Sequence, residues 1–207
     1  MRFLTTAALI LVSAAALTAQ APAGWKQRLD RSTSASDPDG TGDVKFVTMG
    51  NGLHATNPTA AVYWNTANAA TGTYTAKGSF KLMKPSGHTN YYGLVFGGSN
   101  LEGPTQSYLY FMVAQNGSWM LKRRDGDAQA PTIARGENAA ITKPGADGTS
   151  VNALEVRVKA DAIDYVVNGT VVHTTPKSGD TAKTDGIAGI RVNHLLDVHI
   201  DGFAIAR

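Results

Sequence analysis

The residues best suited to chemistry gather in residues 108–126, YLYFMVAQNGSWMLKRRDG. Asn-Gly between two apolar runs favours a tight type I′ hairpin, because both central positions of that turn take positive φ. A two-residue Asn116-Gly117 loop pairs Ala114 with Trp119, Met112 with Leu121 and Tyr110 with Arg123. Directly opposed residues share a face, so Tyr108, Tyr110, Met112, Trp119, Leu121 and Arg123 are expected on one side. Leu109, Phe111, Val113, Met120, Lys122 and Arg124 take the other, which reads as the core side. On the first side, amphipathic rings can stack on a pyranose while Arg123 donates hydrogen bonds to its hydroxyls. The competing reading buries both faces between layers. Either way Lys122, Arg123 and Arg124 are split across two faces, which argues against a clustered patch for nucleic acid.

The histidines offer a second set. His88 sits in Pro85–Asn90, a loop feeding the strand around Tyr92, and rim loops of this kind often carry binding residues. His199 lies between Asp197 and Asp201 at i±2 spacing, which suits a metal or acid–base cluster but is read more simply as a solvated outer face. Glu155, Arg157, Asp164 and His173 are expected to share an outer face as solvated salt bridges. No Ca²⁺ loop appears, since Asp37-Pro38-Asp39-Gly40 is too short and contains proline. There is no cysteine, which excludes thiolate metal sites, cysteine nucleophiles and disulfides. The expectation is therefore no metal and no cofactor.

These residues must be positioned by strands. Tyr74, Ala76, Gly78, Phe80 and Leu82 alternate with polar residues, as do Leu154, Val156 and Val158. That is the period-2 signature of half-buried strands. Ile163 to Val167 runs into Asn168-Gly169 and then Val171-Val172, a second hairpin signal. Further strands are expected at 44–49, 60–64, 91–96, 187–192 and 196–205. In the last of these the apolar parity inverts across Asp201-Gly202, which predicts a β-bulge there. No helical periodicity competes beyond the N-terminus. Many short strands with regular turns predict an all-β fold, an antiparallel two-sheet β-sandwich of jelly-roll type.

Residues 1–19 read as a secretory signal peptide, with Arg2 before a short apolar run and small residues at its end. Residues 20–42 read as a flexible lead-in and 43–207 as the jelly-roll domain. After cleavage no apolar run is long enough to span a bilayer, so a secreted or periplasmic protein is expected. The net charge of +3 is too small to point to a polyanionic partner.

The runs Tyr92-Gly93-Leu94-Val95-Phe96-Gly97-Gly98, the aromatic hairpin, Asn152 to Val158, Asp164 to Val172, Gly189 to Val192, and Val198 to Phe203 together resemble the concanavalin A-like, laminin-G-like jelly rolls of exported bacterial proteins. They are most similar to the 3-keto-disaccharide hydrolase-like group. The resemblance covers roughly residues 72 to 206 and implies a sugar-associated fold. Two departures limit it: the Phe-Asn-Gly opening motif is missing, and so is the Glu-x-Asp-x-Glu strand of related glucanases. The glutamates Glu102, Glu137 and Glu155 form no such run, and no carboxylate pair with glycosidase spacing is recognisable.

The expected function is binding of a carbohydrate or glycan through Tyr108, Tyr110, Trp119, Arg123 and His88. Two alternatives stand beside it. One is a hydrolase or lyase acting on 3-keto-glycosides, and the other is a structural or protein-interaction module of the envelope.

Overall fold

A computed structural model describes residues 22–127 and 129–207. The described residues form fourteen strands: β1 (Trp25–Leu29), β2 (Lys45–Met49), β3 (Gly52–Asn57), β4 (Ala61–Ala70), β5 (Tyr74–Lys84), β6 (Tyr91–Ser99), β7 (Ser107–Ala114), β8 (Ser118–Asp125), β9 (Gln129–Glu137), β10 (Ser150–Val158), β11 (Ala162–Val167), β12 (Thr170–Pro176), β13 (Gly186–Val192) and β14 (Leu196–Ala206). They make two antiparallel sheets of seven, ordered β1-β4-β13-β6-β7-β8-β9 and β12-β11-β10-β5-β14-β3-β2. The all-β sandwich expected from the alternation is what forms. The signal-peptide reading of 1–19 lies outside the described residues. The stretch read as a lead-in contributes β1, an edge strand paired with β4 from Trp25↔Asn65 to Leu29↔Ala61.

The core lies between the sheets. Tyr74, Ala76, Phe80 and Leu82 of β5 point inward, as do Leu154, Val156 and Val158 of β10. They meet Tyr92, Leu94, Phe96, Leu109, Phe111 and Ile190 from the facing sheet. Two buried tyrosine hydroxyls find acceptors: Tyr74 donates to Thr184 O at 2.6 Å, and Tyr63 donates to Asn57 Oδ1 at 2.5 Å. Each bond offsets the desolvation that an unpaired hydroxyl would suffer. The final two strands sit inside the two sheets, so the C-terminal residues are integral to both layers. The bulge expected in β14 is present: its register with β5 shifts between Asp201 and Ala204, and Gly202 takes φ +60°.

The two Asn-Gly turns differ, and the difference moves the aromatic residues. Asn168 and Gly169 have φ of 48° and 81°, the type I′ hairpin that the sequence predicts. At the β7–β8 turn only Gly117 is left-handed, with φ +88°, and its N–H donates to Ala114 O at 3.1 Å. That is a type I turn followed by an αL glycine, which makes a three-residue loop. The register becomes Val113↔Trp119, Phe111↔Leu121 and Tyr110↔Lys122, one residue off the expected pairing. A one-residue slip sends every side chain of one strand to the opposite face.

The expected grouping is therefore corrected. Trp119 joins Leu109, Phe111 and Val113 in the core, where its ring stacks on His173 at 4.8 Å. Arg123 lies opposite Leu109 rather than beside the tyrosines, and pairs with Asp125 and Asp180. Lys122 and Arg124 move to the outer face with Tyr108 and Tyr110. His173 is likewise displaced from its expected outer position. The β11–β12 register shifts after Tyr165, so His173 stands opposite Tyr165 and turns inward.

Candidate functional site

The outer face of the first sheet carries its own apolar layer. Val62, Trp64, Val95, Tyr108, Tyr110 and Met112 form a second buried cluster, with Leu101 of the β6–β7 loop packed onto it. That loop is held down by Arg28 of β1, which donates to Gly103 O at 2.5 Å and Glu102 O at 3.2 Å. One half of the face is thus covered. The other half is an open pocket of about 240 Å³, with Tyr91, Tyr110, Met112 and Met120 on one side and Lys122, Arg124, Arg191 and Asp30 on the other. This is below the roughly 300–1,000 Å³ of drug-sized sites and suits a small, ring-sized group.

A charged network fixes the pocket floor. Arg191 of β13 donates from Nη2 to Asp30 Oδ2 at 2.6 Å, from Nη1 to the Tyr108 hydroxyl at 3.0 Å, and from Nε to Asn193 Oδ1 at 3.1 Å. Its guanidinium also lies 5.1 Å from the centre of the Tyr110 ring, a cation–π contact. Arg124 completes the group, donating to Gly126 O at 2.8 Å and standing 3.1 Å from Asp30 Oδ1. Burial pushes the Asp30 carboxyl up, but the charges of Arg191, Arg124 and Arg28 and the Arg191 hydrogen bond outweigh it, so Asp30 lies below the usual carboxylate value. Burial raises the Tyr110 phenol to about 12. Lys122 is shifted down, first by burial and then by repulsion from Arg191 and Arg124. Lys122 makes no salt bridge among the described residues.

The five residues singled out from sequence therefore scatter. Tyr108, Tyr110 and Trp119 are 2%, 5% and 6% exposed, so none is an open stacking platform. Tyr110 alone of the three lines the pocket. Arg123 is elsewhere. His88 does not line the pocket; it lies in the β5–β6 loop, where its Nε2 is 3.2 Å from His194 Nε2 and 2.9 Å from Oδ1 of the pocket-lining Asp37. His194 Nε2 is in turn 3.1 Å from the same Asp37 oxygen. Asp30, Arg191 and His194 escaped the sequence reading as site residues, and Asp37 was weighed only as part of a Ca²⁺ loop and set aside. The only hint was Arg191 itself, a lone charge in an otherwise apolar strand, since ligands drawn from separate loops leave no spacing to detect.

The His199 set is less solvated than its simpler reading expects: the His199 and His54 side chains are 16% and 11% exposed. It lies on the outer face of the second sheet, with His199 against Asp201 at 3.2 Å and neighbouring His54 against Asp197 at 2.9 Å. Glu155 and Arg157 form a half-exposed ion pair, while the buried Asp164 pairs with the exposed Lys159. A broader hollow of about 570 Å³ lies beyond the β13–β14 turn, but no aromatic residue lines it.

No protein-family model matches the chain, and no curated protein matches it. Solved structures do. The chain is similar to the carbohydrate binding module CBM66 from Bacillus subtilis, with TM-score 0.61 and 10% identity over 89% of this chain and 96% of that one. It is similar to the carbohydrate recognition domain of Emp46p at TM-score 0.60 and 11% identity, covering 88% of both chains. It is also similar to laminarinase from Flavobacterium sp. UMI-01 at TM-score 0.57 and 11% identity, over 89% of this chain and 93% of that one. The fold is a concanavalin A-like jelly roll. At these identities the likeness establishes architecture and leaves the site to be argued from its residues.

Proposed function

We propose that this protein is a secreted glycan-binding jelly-roll domain whose ligand occupies the pocket on the outer face of the first sheet. The observation that carries the reading is Lys122: a half-buried ammonium on the pocket wall, beside two arginines and with no salt bridge among the described residues. A ligand bearing a carboxylate or sulfate group would relieve that repulsion and gain charge-assisted hydrogen bonds. Tyr91, Tyr110 and Met120 supply apolar surface for a sugar ring beside it. Three cations line the pocket against two carboxylates, Asp30 and Asp37, and so favour acidic over neutral glycans. The similar structures, a carbohydrate binding module and a carbohydrate recognition domain, support a sugar ligand for this fold.

The test is a glycan array carrying neutral, uronate-containing and sulfated sugars, probed with the parent protein, Lys122→Ala and Arg123→Ala. Binding to acidic glycans that drops with Lys122→Ala and persists with Arg123→Ala is expected. A parent protein that binds no glycan sinks the proposal.

The hydrolase or lyase alternative draws on one feature, the imidazoles of His88 and His194, which both contact the pocket-lining Asp37. It requires turnover of a 3-keto-glycoside, which product analysis on a substrate panel would detect.

A further inference from the structure

Asp37, His88 and His194 come from three separate segments: the loop after β1, the β5–β6 loop and the β13–β14 turn. Their Asp37 Oδ1, His88 Nε2 and His194 Nε2 atoms form a triangle with sides of 2.9, 3.1 and 3.2 Å. We propose that this triangle is a binding site for a divalent transition metal of the Zn²⁺ class. An ion at the ordinary Zn–N and Zn–O distances of about 2.0–2.1 Å from all three atoms would sit about 1 Å off their plane. A fourth position is left for water or a ligand oxygen. Two imidazoles and one carboxylate suit Zn²⁺, Fe²⁺ or Co²⁺, and are a poor set for Ca²⁺ or Mg²⁺, which prefer all-oxygen shells.

The surroundings favour the same assignment. Asp39 Oδ1 lies 3.3 Å from His194 Nδ1, and Asp39 Oδ2 accepts the Ser32 N–H at 3.0 Å. A carboxylate on Nδ1 holds the proton there and leaves the Nε2 lone pair facing the triangle, as outer partners of metal-bound histidines do. His88 Nε2 faces Asn90 Nδ2, a donor, at 3.1 Å. Three acceptors then converge on one point, an arrangement that a cation satisfies. Asn90 keeps His194 O, 3.0 Å away, and Ser86 Oγ as its other acceptors. Gln115 Nε2 donates to His88 O at 2.7 Å and to Ser86 O at 3.1 Å, which ties the β5–β6 loop to the hairpin.

The site borders the sugar pocket. Asp37 and His194 line a hollow of about 120 Å³ that shares Asp30, Asn90 and Arg191 with it. The open coordination position is thus within reach of a ligand oxygen, and the ion would fasten the segment after β1 to the sandwich. Metal binding does not depend on the glycan reading, since it is measured without sugar.

The experiment is titration of the chelator-treated full chain with Zn²⁺ by calorimetry and with Co²⁺ by visible absorption. Expected are one bound equivalent, the strong d–d bands of four-coordinate Co²⁺, and no displacement by excess Ca²⁺ or Mg²⁺. The side chains of His88 and Asp37 are 44% and 52% exposed, so His88→Ala and Asp37→Asn leave the packed core intact. Both variants should lose at least about tenfold in affinity while unfolding at the parent's metal-free denaturant midpoint. The proposal is overturned if the parent takes up neither ion at tens of micromolar. It is equally overturned if both variants bind as the parent does, or if Ca²⁺ displaces the bound ion.

Discussion

Arg191 and Asp30 stand 161 residues apart in sequence and meet at 2.6 Å on the floor of the pocket. The contact joins the loop just after the edge strand β1 to the central strand β13, and Arg124 reaches the same carboxylate from β8. Both guanidiniums are buried, at 8% and 6% exposure, so neither can exchange Asp30 for bulk water. Asp30→Asn is expected to destabilise the fold by about 3–5 kcal/mol, because it strands buried positive charge. Replacing Asp30, Arg124 and Arg191 together with apolar residues of similar size should cost less than the single change. Urea denaturation of the two variants makes the comparison.

The same carboxylate gives a pH dependence. Asp30 ordinarily titrates near 3.8 and is held lower in the folded state by Arg191, Arg124 and Arg28, against the upward push of burial. Its contribution is therefore complete above the unfolded value and disappears as pH falls through the lower, folded one. Stability measured from pH 5 down to pH 2 should fall more steeply for the parent than for Asp30→Asn. Equal slopes would show that other carboxylates dominate acid unfolding.

Trp119 separates packing from recognition. Its indole is enclosed by Phe111 and His173 between the sheets. Trp119→Ala should cost about 3–5 kcal/mol of stability, read as a shift in the denaturant midpoint. Among molecules still folded, the dissociation constant for an acidic glycan should change little. Lys122→Ala should show the reverse pattern, with weaker binding at nearly unchanged stability.

Two glycines on the pocket face are closely approached by backbone. A Cβ on Gly93 would stand 2.3 Å from Phe111 O, and one on Gly189 would stand 2.3 Å from Tyr63 O. Gly93→Ala and Gly189→Ala should each destabilise by about 1–3 kcal/mol through overpacking. At Gly169 the space is open but φ is +81°, so Gly169→Ala should cost about 1 kcal/mol from backbone strain alone. Thermal melts of the three variants test that ranking.

Much of the architecture was legible in local pattern. Alternation in β5 and β10, the Asn168-Gly169 turn and the parity break at Asp201-Gly202 each follow from geometry within a few residues. They appear where expected. The Asn116-Gly117 turn was misread because the same dipeptide serves either a two-residue or a three-residue hairpin loop. Only the pairing of β8 with its neighbours selects between them, and that choice moved Trp119 into the core and Lys122 out of it.

The sequence by itself determined that this chain buries alternate residues in an antiparallel sandwich, because side-chain period and turn chemistry are local properties. The site was decided by tertiary structure alone. Lys122 and Arg191 come from two strands and Asp30 from just after the end of β1, while Asp37, His88 and His194 come from three loops, with no shared spacing. Their charges acquire meaning only when sheet order places them within a few ångströms, where burial and mutual repulsion set what each can bind.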